Sequence, residues 1–180
     1  MGKSFAEGFI QYLKSMEADR GKLATLRKGL IDTQSQSTWP LLSRFINFDK
    51  PYQMKVLQTV AGLYAHHPQN TSSGNLGSTC FKLLDEDEKK KMAQGESGPI
   101  SRNFQYVLAA NGEELLPRVR RLGFRSKADE IPINYVQLTK DLLDWQYKKD
   151  RIKLAWGKEF WKVSDEAKLN ELKSEANADD

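Results

Sequence analysis

The sequence is short of the groups on which most enzymes and most secreted domains rely. Of its 180 residues one is cysteine, Cys80, and two are histidine, His66 and His67. A single thiol excludes a disulfide framework within the chain and points to a reducing compartment. No apolar run approaches the roughly 20 residues that a membrane-spanning helix needs. The start, Met1-Gly2-Lys3-Ser4-Phe5-Ala6-Glu7, lacks the apolar stretch of a secretory signal. The expected location is the cytoplasm, with no membrane contact. Sustained alternation of β-branched and polar residues, the mark of half-buried strands, is almost absent.

The scarcity extends to chemistry. His66 and His67 are neighbours, and neighbours on a helix point about 100° apart, so they do not form the i, i+4 pair that ligates a metal. They read as a helix C-terminus, where an imidazolium suits the dipole. Cys80 has no base partner in the sequence and lies on an apolar stripe, so it reads as a buried structural thiol. The glycines of Ser73-Gly74-Asn75-Leu76-Gly77-Ser78-Thr79 are not followed by the Gly-Lys-Ser/Thr of a phosphate loop, and Gly2-Lys3-Ser4 lacks the strand that should precede it. The acids Asp85, Glu86, Asp87 and Glu88 are consecutive, unlike a calcium loop. No catalytic residue, metal or cofactor is expected, and the chain reads as a non-enzyme.

What is present is helical spacing. Phe5, Phe9, Tyr12, Leu13 and Met16 form one stripe. Asp19 can cap a second helix with Leu23, Leu26 and Leu30 as its seam. Trp39-Pro40-Leu41-Leu42 opens a short helix, and a longer one runs from Tyr52 to His67, where Pro68 stops it. A short helix carries Leu76, Cys80, Leu83 and Leu84. Phe104, Val107 and Leu108 mark the next, and Asn111 caps another running from Glu113 toward Phe124. Segments from Ile131 to Trp145 and from Lys148 to Val163 finish the fold. The expectation is an all-α, compact helical bundle of about eight to nine helices. It forms one domain over residues 1–165, with lobes at about 1–84 and 100–165, a polar linker at 85–99 and a charged tail at 166–180.

Formal net charge is +4, and the positive charge is concentrated in three places. The first runs from Asp19 to Lys28 and holds Arg20, Lys22, Arg27 and Lys28. Arg20 and Arg27 are seven apart and share a helix face beside the leucine seam, which would hold their stems and project the guanidinium groups outward. The second, Arg118 to Lys127, contains Arg118, Arg120, Arg121, Arg125 and Lys127 and no acid. In the third, Ile152, Trp156, Phe160 and Val163 form an apolar face. Lys148, Arg151, Lys158 and Lys162 fall together roughly 120° from it. Leu154 and Trp161 form a second apolar seam on that helix, which suggests deep packing or a partner interface. Such stripes suit the backbone of a polyanion, whose binding would weaken steeply with salt. No recognition-helix pattern is visible, so binding without sequence preference is favoured. The residues also admit a stand-alone basic helical DNA-binding protein, or a structural adaptor whose cations meet acidic protein surfaces.

An ordered set of segments resembles a known family. It comprises Asp19-Arg20-Gly21-Lys22-Leu23-Ala24-Thr25-Leu26-Arg27-Lys28-Gly29-Leu30, Val60-Ala61-Gly62-Leu63-Tyr64-Ala65-His66-His67-Pro68 and Asn75-Leu76-Gly77. It continues through Arg102-Asn103-Phe104 with Leu108 and Ala109, Glu114-Leu115-Leu116, and Ile133-Asn134-Tyr135 with Leu138. Asp141-Leu142-Leu143-Asp144-Trp145 and Trp156-Gly157-Lys158-Glu159-Phe160 complete it. From Asp19 to Phe160, in order and spacing, the chain resembles the CasB family, the small subunit of the type I-E CRISPR Cascade complex. The resemblance implies an all-α subunit without a catalytic centre, present beside a second copy of itself and other Cascade subunits. Such a subunit stabilises the R-loop, gripping guide RNA and target DNA through their backbones. By position Arg20, Arg27 and Lys28 carry over as nucleic-acid contacts. Lys22, Arg102, Arg118, Arg121, Arg125, Arg151 and Lys158 join them on the charge argument, and Leu154 and Trp161 are the expected partner contacts.

Overall fold

The computed structural model describes residues 2–162. Val163 and the expected tail at 166–180 lie outside the described residues. Among those described there are nine α-helices and no strand, as the missing alternation predicts. One isolated parallel bridge joins Asn70 and Ile133.

Local chemistry places the helix starts. Helix α1 (Phe5–Lys14) opens on a capping box: Ser4 Oγ accepts from the Glu7 backbone N–H and Glu7 accepts from that of Ser4. Helix α2 (Arg20–Arg27) is capped as expected by Asp19, which accepts from Lys22 N at 3.0 Å. Two 3₁₀ segments, Lys28–Leu30 and Asp32–Thr38, lead to α3 (Trp39–Leu42). Helix α4 (Pro51–His66) follows, with proline in its first turn, where a missing N–H costs nothing. Then come α5 (Leu76–Lys82), α6 (Glu86–Ala93), α7 (Pro99–Ala109), α8 (Gly112–Ala128) and α9 (Tyr135–Phe160).

Helix α4 is the axis of the molecule. Val56 through Ala65 are all buried on it, because α2, α8 and α9 pack around it. An all-round apolar stretch of this kind belongs in a core. Helix α9 in turn lies against α1 and α5. Its backbone leaves helical geometry at Lys148, the point at which the sequence separates two helical segments. Polar groups bind its two halves together: Asp141 accepts from Trp156 Nε1 at 2.7 Å and from Gln137 Nε2 at 2.8 Å. Burial raises the Asp141 carboxyl above its ordinary value, and these two hydrogen bonds oppose the shift. Buried apolar residues from both halves of the chain, Phe9 and Leu57 as well as Phe104 and Leu142, fall in one continuous cluster.

Two expectations are corrected. The polar linker at 85–99 is instead built around helix α6. Asp85 caps it by accepting from Glu88 N at 2.7 Å, Met92 is buried, and the buried Glu88 accepts from Ile100 N at 2.9 Å. A run of charges hid an anchoring pair at i, i+4 because one of its members is itself charged. The second correction concerns Ile131, which does not start a helix. Pro132 disfavours helical backbone at the residue before it, and Ile133 pairs with Gln69 and Thr71 instead. The helix starts only after Asn134, which caps Gln137 N at 3.0 Å.

Candidate nucleic-acid interface

The site begins with two glycines. A Cβ at Gly62 of α4 would come 2.5 Å from Leu30 Cγ, and one at Gly123 of α8 would come 2.7 Å from Leu63 Cδ2. Their bare backbones let the end of α2 and the middle of α8 settle closely on α4. The first and second basic stripes, some 90 residues apart in sequence, therefore meet over the C-terminal end of α4. Between them lies an open cleft of about 530 Å³.

One wall is α2 and its 3₁₀ continuation, which contribute Ala24, Arg27, Lys28 and Ile31. Arg20 stands one turn before Ala24 on the same helix face, exposed and with no ion pair among the described residues. The opposite wall is α8, through Arg120 and Phe124, and the floor includes His66. The arginines are braced. Arg27 Nε donates to Ala65 O at 3.0 Å, satisfying a carbonyl in the last turn of α4 that has no helical partner. Arg120 Nη1 donates to Leu30 O. Each bond holds one nitrogen of a guanidinium and fixes the plane of the rest.

Two large apolar side chains stay exposed in this basic setting, Ile31 at 46 % and Phe124 at 40 %. His66 meets Phe124 edge-on, with ring centres 5.2 Å apart and planes at 82°. Burial, with the nearby charges of Lys127 and Arg27, holds the His66 imidazole below its ordinary pKa. The histidine pair does mark a helix C-terminus, as the sequence suggested, but this environment disfavours the imidazolium there. His67 turns away, buried, with Nε2 2.8 Å from Ile131 O. The two imidazoles diverge because His67 already has non-helical backbone, one residue past the end of α4.

The other expected site residues are distributed as follows. Arg121 is exposed beside Phe124, one turn earlier on α8. Lys22 is paired with Asp19 at 3.3 Å. Arg118 points to another face: it pairs with Glu114 at 3.5 Å, lies 5.4 Å from the centre of the Tyr106 ring, and has a buried Nε without a partner. Arg125 is paired with Asp129 at 2.9 Å. Arg102 on α7 and Arg151 and Lys158 on α9 are exposed, and none of them lines the cleft. Leu154 is 75 % exposed. Trp161 is half-buried, its ring centre 5.6 Å from Phe104 and 5.0 Å from Phe160, so the seam expected to join it with Leu154 is divided between core and surface.

Sequence reasoning left Arg120, His66, Phe124 and Ile31, which line the cleft, out of the site, as it did Lys127, whose charge acts on His66. Arg120 and Lys127 flank Phe124 at i−4 and i+3, so a helical wheel centred on that aromatic would have found them. Elsewhere Cys80 is fully buried, and burial pushes its thiol far above the ordinary value. That makes it unreactive as a nucleophile. Among the described residues no group of three or more His, Cys, Asp or Glu could hold a metal ion. No helix among them is long and apolar enough to cross a membrane.

One core and nine helices among the described residues define a small all-helical scaffold. Known proteins share it. The M. ruber CasB structure superposes with a TM-score of 0.70 at 22 % identity, over 92 % of this chain and 97 % of that one. CasB from Thermus thermophilus gives 0.66 at 18 %, over 88 % and 99 %. A chain of a CRISPR RNA-guided surveillance complex gives 0.68 at 15 %, over 92 % and 96 %. A comparison with curated proteins finds none that matches. The family model of CRISPR-associated protein Cse2 matches residues 22–161, and the chain belongs to that family.

Proposed function

We propose that this chain is a non-catalytic subunit of a type I-E CRISPR Cascade complex. In this reading it stabilises the R-loop of guide RNA, target DNA and displaced strand by holding sugar-phosphate backbone. The observation that carries the reading is the meeting of two distant basic stripes in one cleft, with Arg27 and Lys28 on one wall and Arg120 on the other, while Arg20 and Arg121 stand exposed on the same two helices. Concentrated like charge on braced side chains is costly unless a polyanion answers it. Family membership supports the reading, as does the likeness to a chain of an RNA-guided surveillance complex. Arg102, Arg151 and Lys158 would extend the contact beyond the cleft, and Leu154 would meet another subunit or a second copy of this chain.

The test is purification from the native cell followed by target binding. A tagged chain should bring down guide-length RNA and several larger partners. The assembly carrying Arg20→Glu and Arg27→Glu should keep its composition but open a matched duplex less, as read by permanganate reactivity of the displaced strand. A chain that purifies with protein partners alone, or whose partners persist unchanged after nuclease treatment that removes all RNA, is an adaptor. A chain that binds duplex DNA tightly on its own stands alone.

A further inference from the structure

We infer that Phe124 is a stacking platform for an unpaired base, so that the cleft selects single-stranded nucleic acid over duplex. This rests on the reading of the cleft as a backbone-binding surface. A surface that held phosphates alone would need cations and water, and exposed apolar rings would be a liability there. Here Phe124 stays open to solvent beside Arg120 on one wall of the cleft, and Ile31 does so beside Arg27 and Lys28 on the other. An aromatic ring framed by cations is the arrangement that serves single strands: the cations follow the backbone and the ring takes a base on its face, whatever the base. Bases in a duplex are stacked on one another and have no free face to offer. The edge-on contact with His66 orients the Phe124 ring, and Gly123 beside it keeps α8 close to α4, so the platform is carried on rigid elements.

The experiment uses the full chain at low salt with two oligomers of equal length and charge, a homopyrimidine single strand and its abasic counterpart. The wild-type chain should bind the base-bearing strand about fivefold more tightly or better. Phe124→Leu keeps apolar volume and removes the π face, and it should bring the base-bearing strand down to the abasic level without altering abasic affinity. Phe124→Trp should retain the preference. Lys28→Gln should weaken both oligomers equally. Equal wild-type affinity for the two oligomers overturns the platform and leaves the backbone reading standing. So does a Phe124→Leu variant that binds both as the wild type does. Failure of both oligomers to bind, or equal capture of an acidic polypeptide, defeats the backbone reading and the platform together.

Discussion

Neutralising Arg20 and Arg27 together, as Arg20→Gln and Arg27→Gln, removes two cations from one face of α2 at small structural cost. Arg20 is exposed and makes no ion pair among the described residues. Arg27 contributes one hydrogen bond, from Nε to Ala65 O, worth about 0.5–1.5 kcal/mol. That is small against the roughly 5–15 kcal/mol that holds a domain folded. The effect on binding is larger. Each phosphate contact contributes about 0.7–0.9 to the slope of log affinity against log salt, the lower figure for single strands. Two lost contacts should therefore flatten the slope by about 1.4–1.8. Over a fourfold rise in salt, from about 50 to about 200 mM, the wild-type complex should lose some seven- to twelvefold more affinity than the variant. The assay is target binding by the purified assembly across a salt series, with thermal unfolding as a control. Arg118→Gln with Arg125→Gln is the comparison pair, because Glu114 and Asp129 already answer those charges; its slope should stay near that of the wild type. A flattened slope for the Arg118 and Arg125 pair and an unchanged one for Arg20 and Arg27 would refute the reasoning.

Other expectations concern the scaffold. A Cβ at Gly77 would lie 1.9 Å from Trp156 O, a backbone atom that cannot rotate aside, so Gly77→Ala should push α5 off α9. It should cost at least about 1–3 kcal/mol, read as a lower midpoint in urea. Trp156→Phe leaves Asp141 without its 2.7 Å donor and should cost about 1–3 kcal/mol by the same measurement. Leu154→Ala should change stability by less than about 0.5 kcal/mol, as exposed positions do, yet reduce retention of the chain in the assembly on size-exclusion chromatography. Trp161→Ala should lower stability instead, because its ring packs on Phe104 and Phe160.

Much of the fold was legible because helices announce themselves locally. Asp19 and Asn111 mark their helices as caps, and the mostly apolar run from Tyr52 to His67, stopped by Pro68, marks another, so each signal lies within a few residues of its effect. Helix α6 was not legible: its only apolar anchor, Met92, sits in a charge run, and its second anchor is the buried carboxylate of Glu88. The site was half legible. The charge density at 19–28 and 118–127 can be counted, but whether the two stripes meet depends on helix approach at Gly62 and Gly123, which no periodicity encodes. Nor can counting separate Arg118, turned toward Tyr106, from Arg120, two residues on and in the cleft.

The most direct test of a backbone-holding cleft is photo-cross-linking within the assembled, target-bound complex, using halogenated pyrimidines in each DNA strand in turn and mass spectrometry of the attached peptides. The account predicts nucleotide adducts on peptides spanning residues 20–31 and 120–127, Phe124 among them. Adducts confined to the far half of α9, or none on this chain while neighbouring subunits are labelled, would contradict it.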